Sequence, residues 1–235
     1  ISSNTGVANT PQAPCQGGDN WDASECMPTP VNRNVWTAAQ NLPAGKNNFT
    51  DANITFIKPL MNLSGTPLKE FHKATIGSDG VDLTYCTGLD GTNGDEDIGL
   101  IRFVRGEDYF DYDNDCNLRE ERTREEEIKT VTTNSNGTQT VTTSKRTVKS
   151  TIADIYNGEL VFVGPPRAET ELTDSNTESN FRRNRAYQSF ANLWSSREEL
   201  IYATANNGVL HAFNAKTGIE KWGFVPPLII PKLPR

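Results

Sequence analysis

Apolar and polar positions follow a regular rhythm in only a few parts of this chain. The clearest lies near the C-terminus, where ELIYATANNGVLHAFNAKTGIEKWGF divides into three short, half-apolar runs, LIYATA, VLHAF and IEKWGF, separated by NNG and NAKTG. Gly208 and Gly218 supply the positive φ that tight turns require, so the stretch predicts three consecutive antiparallel strands. ELVFVG, at 159–164, predicts a further strand upstream. A small antiparallel sheet of this kind is the unit of a propeller blade, and it must hide its faces against neighbouring blades. Roughly one such unit is visible, so the remaining blades are expected from elsewhere, in this protein or in another chain.

A second rhythm runs from 122 to 149, where threonine and valine alternate on both sides of NSNG. It predicts a β-hairpin over about 129–148 that has two polar faces and projects into solvent or onto a partner, with a disordered insertion as the alternative. Residues 52–104 carry short apolar segments, among them NITFIKPLMNL, VDLTY and IGLIRFVRG, set between turn clusters, and one short helix is expected around PLKEFHKATI. Residues 1–50 are polar and predict an irregular arm whose Trp21 and Trp36 pack on something else. The fold class read from this is mainly β: an incomplete β-propeller of about one blade, preceded by an irregular, disulfide-stapled region with a protruding hairpin. The division expected is 1–97 for the arm and a small β-rich region, and 98–235 for the start of the propeller.

Charge and composition narrow the functions. With 235 residues the chain is long enough to bury a core, and 18 glycines and 13 prolines suit a loop-rich β protein. A formal charge of −7 without a basic stripe excludes a general nucleic-acid role and favours divalent cations. No run approaches the roughly 18 apolar residues of a membrane-spanning helix. The first residues hold no basic or apolar leader, so the sequence reads as a mature product or an internal piece.

Cys15, Cys26, Cys86 and Cys116 contain no Cys-x-x-Cys and are joined by no paired histidines, which argues against zinc and leaves three disulfide connectivities, or four free thiols in a reducing compartment. Sequence proximity favours Cys15 with Cys26 and Cys86 with Cys116.

The stretch GEDYFDYDNDCNLREE, at 106–121, concentrates carboxylates. Asp111, Asp113, Asp115 and Asn117 fall at the spacing that fills the first positions of a calcium loop, and Glu120 or Glu121 closes a shortened version of it. The match is partial, because Cys116 stands where the turn-making glycine belongs and Arg122 where a bidentate glutamate belongs. A solvated acidic loop, balanced by Arg102, Arg105 and Arg119, is the other reading. A second cluster, Asp90, Asn93, Asp95, Glu96 and Asp97, fits no known loop spacing and reads as a solvated turn, with a cation site as the alternative.

No catalytic constellation emerges, since His72 and His211 are the only histidines. His211 reads as a packing or turn-bonding residue, and Trp222 as an anchor for blade packing. Asn48, Asn53, Asn62 and Asn136 begin glycosylation sequons that matter only in a secretory host.

The run ATANNGVLHAFNAKTGIEKWGFVPP, preceded by ADIYNGELVFVGPPRAET and IRFVRGEDYFDYDNDCN, resembles the PilY/PilC family of type IV pilus tip-associated adhesins, at the start of their C-terminal β-propeller. Members carry a GANDGMLHAF-like strand pair and a Thr-Gly-x-Glu-x-Trp turn and strand. Here Asn206-Asn207-Gly208 replaces Asn-Asp-Gly, Ile152-Ala153-Asp154 replaces Leu-Gly-Asp, and the threonine-rich hairpin looks like an insertion. The resemblance covers about 98–231. It implies a non-enzymatic pilus biogenesis and adhesion component, secreted to the cell surface or pilus tip and associated with the outer membrane. The partners it implies are pilus subunits or minor pilins, the remaining propeller polypeptide, and a host or surface receptor. The blade rhythm is also that of quinoprotein dehydrogenases, which makes a fragment of a propeller oxidoreductase the alternative, although such an enzyme needs several repeats where one is visible.

Overall fold

The computed structural model describes residues 15, 21–45, 47–61, 96–109, 120–156, 158–171 and 177–233. The three C-terminal runs form strands as expected, and with the upstream one they build most of a sheet. In chain order the strands are β1 (Val35–Trp36), β2 (Thr123–Thr133), β3 (Gln139–Lys149), β4 (Val161–Val163), β5 (Leu200–Thr204), β6 (Leu210–Asn214) and β7 (Glu220–Phe224). The five-stranded sheet has the order β1-β7-β6-β5-β4, and β2 and β3 form a separate two-stranded ribbon. The fold among the described residues is mainly β, with no closed barrel.

The N-terminal arm is less irregular than its composition suggests. Val35 and Trp36 pair in parallel with Gly223 and Phe224, so the arm supplies an edge strand to the C-terminal sheet. Trp36 meets Trp222 edge-on at 6.2 Å and Phe224 at 4.4 Å, while Trp21 packs 6.4 Å from Phe213 and donates Nε1–H to the Ala215 carbonyl. The expected "something else" is thus the sheet itself. Among the described residues no strand follows β1 in the sheet. The Asn48 side-chain amide accepts from the Thr37 N–H and donates to the Thr37 carbonyl, while the Phe49 N–H takes the Val35 carbonyl. Asn48 therefore occupies the place of one further rung of the ladder.

Two of the short apolar segments set between turn clusters, NITFI and EDIGLIRFVR, form helices, α1 (Ile54–Ile57) and α2 (Glu96–Arg105). The reason is spacing: Leu100, Ile101 and Val104 lie on one face of α2 at helical separation and are buried there with Val35, Phe49, Ile57, Met61, Val209, Val225 and Ile230. That cluster is the main core, and it welds the arm and both helices to the edge of the sheet. A smaller cluster joins Ala23, Met27, Ala203 and Phe213. The segment PLKEFHKATI lies outside the described residues, as does the acidic cluster before Glu96.

The hairpin forms with register Val131 opposite Val141, and its strands extend beyond the expected span to 11 residues each. Its tip closes through Asn134 N–H to Thr138 O and Gly137 N–H to Asn134 O, with Gly137 at φ 77°. At its base Lys145 pairs with Glu125 and Arg146 with Glu126, on exposed surface worth little to stability. Two short helices absent from the sequence reading, α3 (Thr177–Asn184) and α4 (Tyr187–Leu193), fill the connection between β4 and β5.

Candidate functional site

Two regions concentrate charge, and they behave differently. The first is a buried joint beneath the sheet. A register shift between Ala212 and Phe213 leaves Lys221 without a cross-strand partner, so that Ala212 faces Trp222 while Phe213 faces Glu220. Side chains alternate along a strand, and this bulge puts Glu220 in place of Lys221 on the face that carries His211 and Phe213. There the Glu220 carboxylate accepts Nε–H of Arg33 at 2.7 Å and Nη2–H at 2.8 Å, a two-pronged pair, and lies 2.7 Å from Nδ1 of His211. The third prong of Arg33, Nη1, donates to the Arg105 carbonyl at 2.6 Å. Arg105 in turn donates to the carbonyls of Pro30, Arg33 and Phe49 and to Asn47 Oδ1. Gly223 makes room for the pair, since a Cβ there would stand 3.3 Å from the Glu220 carboxylate.

Side chains of the Arg33–Glu220–His211 group are at most 1% exposed. Burial alone would raise the Glu220 pKa, but the charge and hydrogen bonds of Arg33 and the contact with His211 outweigh it and hold the carboxyl at about 2. Burial lowers the His211 pKa against the opposing pull of Glu220, so the ring is neutral. Burial, then the neighbouring Arg33 charge, lowers that of Arg105. Closed to solvent, this arrangement fastens the arm, α2 and the sheet. His211 is therefore a buried hydrogen-bonding and stacking residue, its ring 5.7 Å from that of Phe213. Trp222 fits the role of packing anchor, against Trp36 and Tyr202. Arg33 and Glu220 were not singled out from the sequence, and Arg105 was read there only as a counter-charge for the acidic loop; a glutamate in an otherwise half-apolar strand was the one available signal for the joint.

The second region is the base of the acidic loop. Asp111, Asp113, Asp115 and Asn117 lie outside the described residues, and so do Cys86 and Cys116. Glu120 lies at the loop's exit, where its carbonyl accepts the Asp108 N–H at 3.0 Å. Glu107 and Glu121 form an antiparallel bridge, and the Arg122 N–H reaches the Gly106 carbonyl. The two ends of the loop are therefore held side by side. Glu121 is engaged by Thr151 Oγ1 at 2.8 Å and by Lys149 at 3.0 Å. Among the described residues no group of three or more potential metal-ligating side chains converges. Of the expected counter-charges, Arg102 pairs with Asp51 and lies 4.0 Å from Glu107, whereas Arg105 belongs to the buried joint. Arg122 is a structural bolt, bonded to the Ser150 and Phe103 carbonyls and set 4.1 Å over the Phe103 ring.

The Cys15–Cys26 disulfide is present, with 5.3 Å between Cα atoms. Of the sequons, Asn48 and Asn53 commit their amides to backbone carbonyls, whereas Asn136 is exposed at the hairpin tip. No described helix is long and apolar enough to cross a membrane.

Two relatives agree with the resemblance to the PilY/PilC family. Over 82 residues the chain is 39% identical to the type IV pilus biogenesis factor PilY1 homolog of Xylella fastidiosa, a stretch that makes up 35% of this chain and 6% of that protein. Over 85 residues it is 31% identical to the type IV pilus biogenesis factor PilY1 of Pseudomonas aeruginosa, covering 36% of this chain and 7% of that one. The matched stretch thus spans less than a tenth of either relative's length. No family model and no solved structure matches the chain.

Proposed function

We propose that this chain is part of a PilY1-like type IV pilus biogenesis factor, in which residues 98–235 lead into and begin a β-propeller at the pilus tip. The observation that carries the reading is the antiparallel series β4-β5-β6-β7, built from the motifs that resemble the family and supported by the names of both relatives. The role is a non-enzymatic one in assembly and adhesion at the cell surface, in contact with pilus subunits or minor pilins and with a host or surface receptor. Neither relative is a quinoprotein dehydrogenase, and that alternative is not favoured. Further blades would cover the sheet beyond β4, where Leu160, Val161 and Phe162 are exposed on both faces. Deleting the gene in its source bacterium tests the reading: surface pili and twitching should be lost and return with the intact gene. Pili that persist in the deletion would sink it.

Calcium in the 107–121 loop is part of the same proposal. The spacing of Asp111, Asp113, Asp115 and Asn117, and the pinning of the loop's ends at Asp108 and Glu120, support it. Calorimetry of the oxidised chain should show calcium binding that disappears when the three aspartates become asparagine, together with a chelator-sensitive rise in melting temperature. No heat, or heat that persists in the variant, would return the loop to a solvated turn.

A further inference from the structure

Among the described residues both margins of the ribbon β2–β3 lack a neighbouring strand. From Glu125 to Val131 the outer margin of β2 carries no proline and no break in register. Of the features that protect such an edge it has charge alone, and the charges are of both signs. A two-stranded ribbon standing by itself is also marginal in water.

The hydrogen bonds at the two ends of the ribbon show which groups point outward. At the tip the Asn134 N–H meets the Thr138 carbonyl, and at the base the Ser150 N–H meets the Arg122 carbonyl. Both bonds join even-numbered residues, and the register between them is unbroken, so the even positions of β2 commit their backbone groups to β3. Glu125, Glu127, Lys129 and Val131 therefore turn N–H and C=O away from it. All four side chains are exposed. Lys145 engages Glu125 and Arg146 engages Glu126, whereas Glu127 and Lys129 form no ion pair among the described residues.

We propose that this margin of β2 pairs with the same margin of a second copy of the chain. Antiparallel pairing about a two-fold axis at Ile128 places Glu127 opposite Lys129 of the second copy, and Lys129 opposite its Glu127. Each is a hydrogen-bonded pair of outward-turned residues, so backbone and charge agree in one register. Ile128 meets its own counterpart in the intervening non-hydrogen-bonded pair, where side chains approach most closely. Two other pairings are worse. β3 holds Lys145, Arg146 and Lys149 and no acid, so β3 against β3 opposes charges of one sign. β2 against β3 of another copy, in the antiparallel sense, repeats by translation and sets whole molecules about 10 Å apart, two strand spacings, although a body of 235 residues has a radius of gyration of about 17 Å. The two-fold instead puts the bodies at opposite ends of a four-stranded sheet, their Thr123 residues about 33 Å apart.

Sedimentation velocity of the whole chain over a concentration series tests this: a monomer–dimer equilibrium is expected, with nothing larger. Glu127→Lys or Lys129→Glu alone makes both reciprocal pairs like-charged and should weaken dimerisation roughly tenfold, and the two changes together should restore it. Both positions are exposed, so circular dichroism should show each variant folded. Ile128→Cys under mild oxidation should give a disulfide-linked dimer, and Ser144→Cys, at its cross-strand neighbour on β3, should give none above the unchanged chain. A chain that stays monomeric, a dimer indifferent to the single reversals, or linkage as strong through Ser144→Cys as through Ile128→Cys overturns the proposal. Oligomers that grow without limit overturn it too, since only a head-to-tail contact propagates.

Discussion

Arg33 and Glu220 meet in a two-pronged, fully buried ion pair although 187 residues separate them in sequence. The pair joins the arm to the last strand of the sheet. Its desolvation makes it a poor source of net stability, but neither partner tolerates losing the other.

Glu220→Gln should therefore cost about 3–5 kcal/mol in urea unfolding, since it leaves the Arg33 charge buried without a counter-ion. The double change Arg33→Met with Glu220→Leu should recover a large part of that loss. A loss in the double equal to the sum of the losses in Arg33→Met and Glu220→Leu alone would show that the residues act independently.

Acid should weaken the fold in two stages. His211 has a folded pKa below its usual 6.5, so the unfolded chain takes up its proton first, and stability falls as pH drops below about 6.5. Glu220 has a folded pKa of about 2 against 4.5, so its contribution is complete above about 4.5 and is lost as pH falls toward 2, by roughly 3 kcal/mol in all. Unfolding free energy measured from pH 7 to pH 3 should lose the upper stage in His211→Phe and the lower stage in Glu220→Gln. Profiles unchanged in the variants would contradict the assignment.

Gly218 sits at φ 73°, and a Cβ there would lie 2.5 Å from the Trp21 ring. Gly218→Ala should destabilise by more than about 1 kcal/mol, from the backbone and from displacement of Trp21. A red shift in tryptophan emission should accompany the lower denaturation midpoint.

Reduction of Cys15–Cys26, which closes a loop of sequence separation 11, should remove about 3 kcal/mol on the chain-entropy account. Thermal unfolding with and without reductant measures it. An unchanged melting temperature would mean that the packing of Trp21 and Met27 alone holds the turn.

What the sequence made legible follows from locality. β5 to β7 and the hairpin are joined by turns whose glycines and asparagines dictate the geometry within a few residues, so their strands lay open to reading. The two-residue strand β1 did not, because Val35 and Trp36 become a strand only by meeting Gly223 and Phe224. The segment IGLIRFVRG left its element type open because five apolar residues in nine fit a buried strand as well as a helix face, and burial of Leu100, Ile101 and Val104 against the arm decides for the helix. The buried joint was illegible for a similar reason: a one-residue bulge determines whether Glu220 or Lys221 enters it. Both short helices α3 and α4 escaped notice because their apolar residues face outward and build no core pattern.

Asn48 has a consequence for assembly. By imitating a rung with its amide, it denies incoming strands the β1 margin, while β4 at the opposite margin presents its backbone with exposed Val161 and Phe162 beside it. The sheet is thus directional: any strand that joins it does so from the β4 side, and successive additions would extend away from the arm rather than bury it.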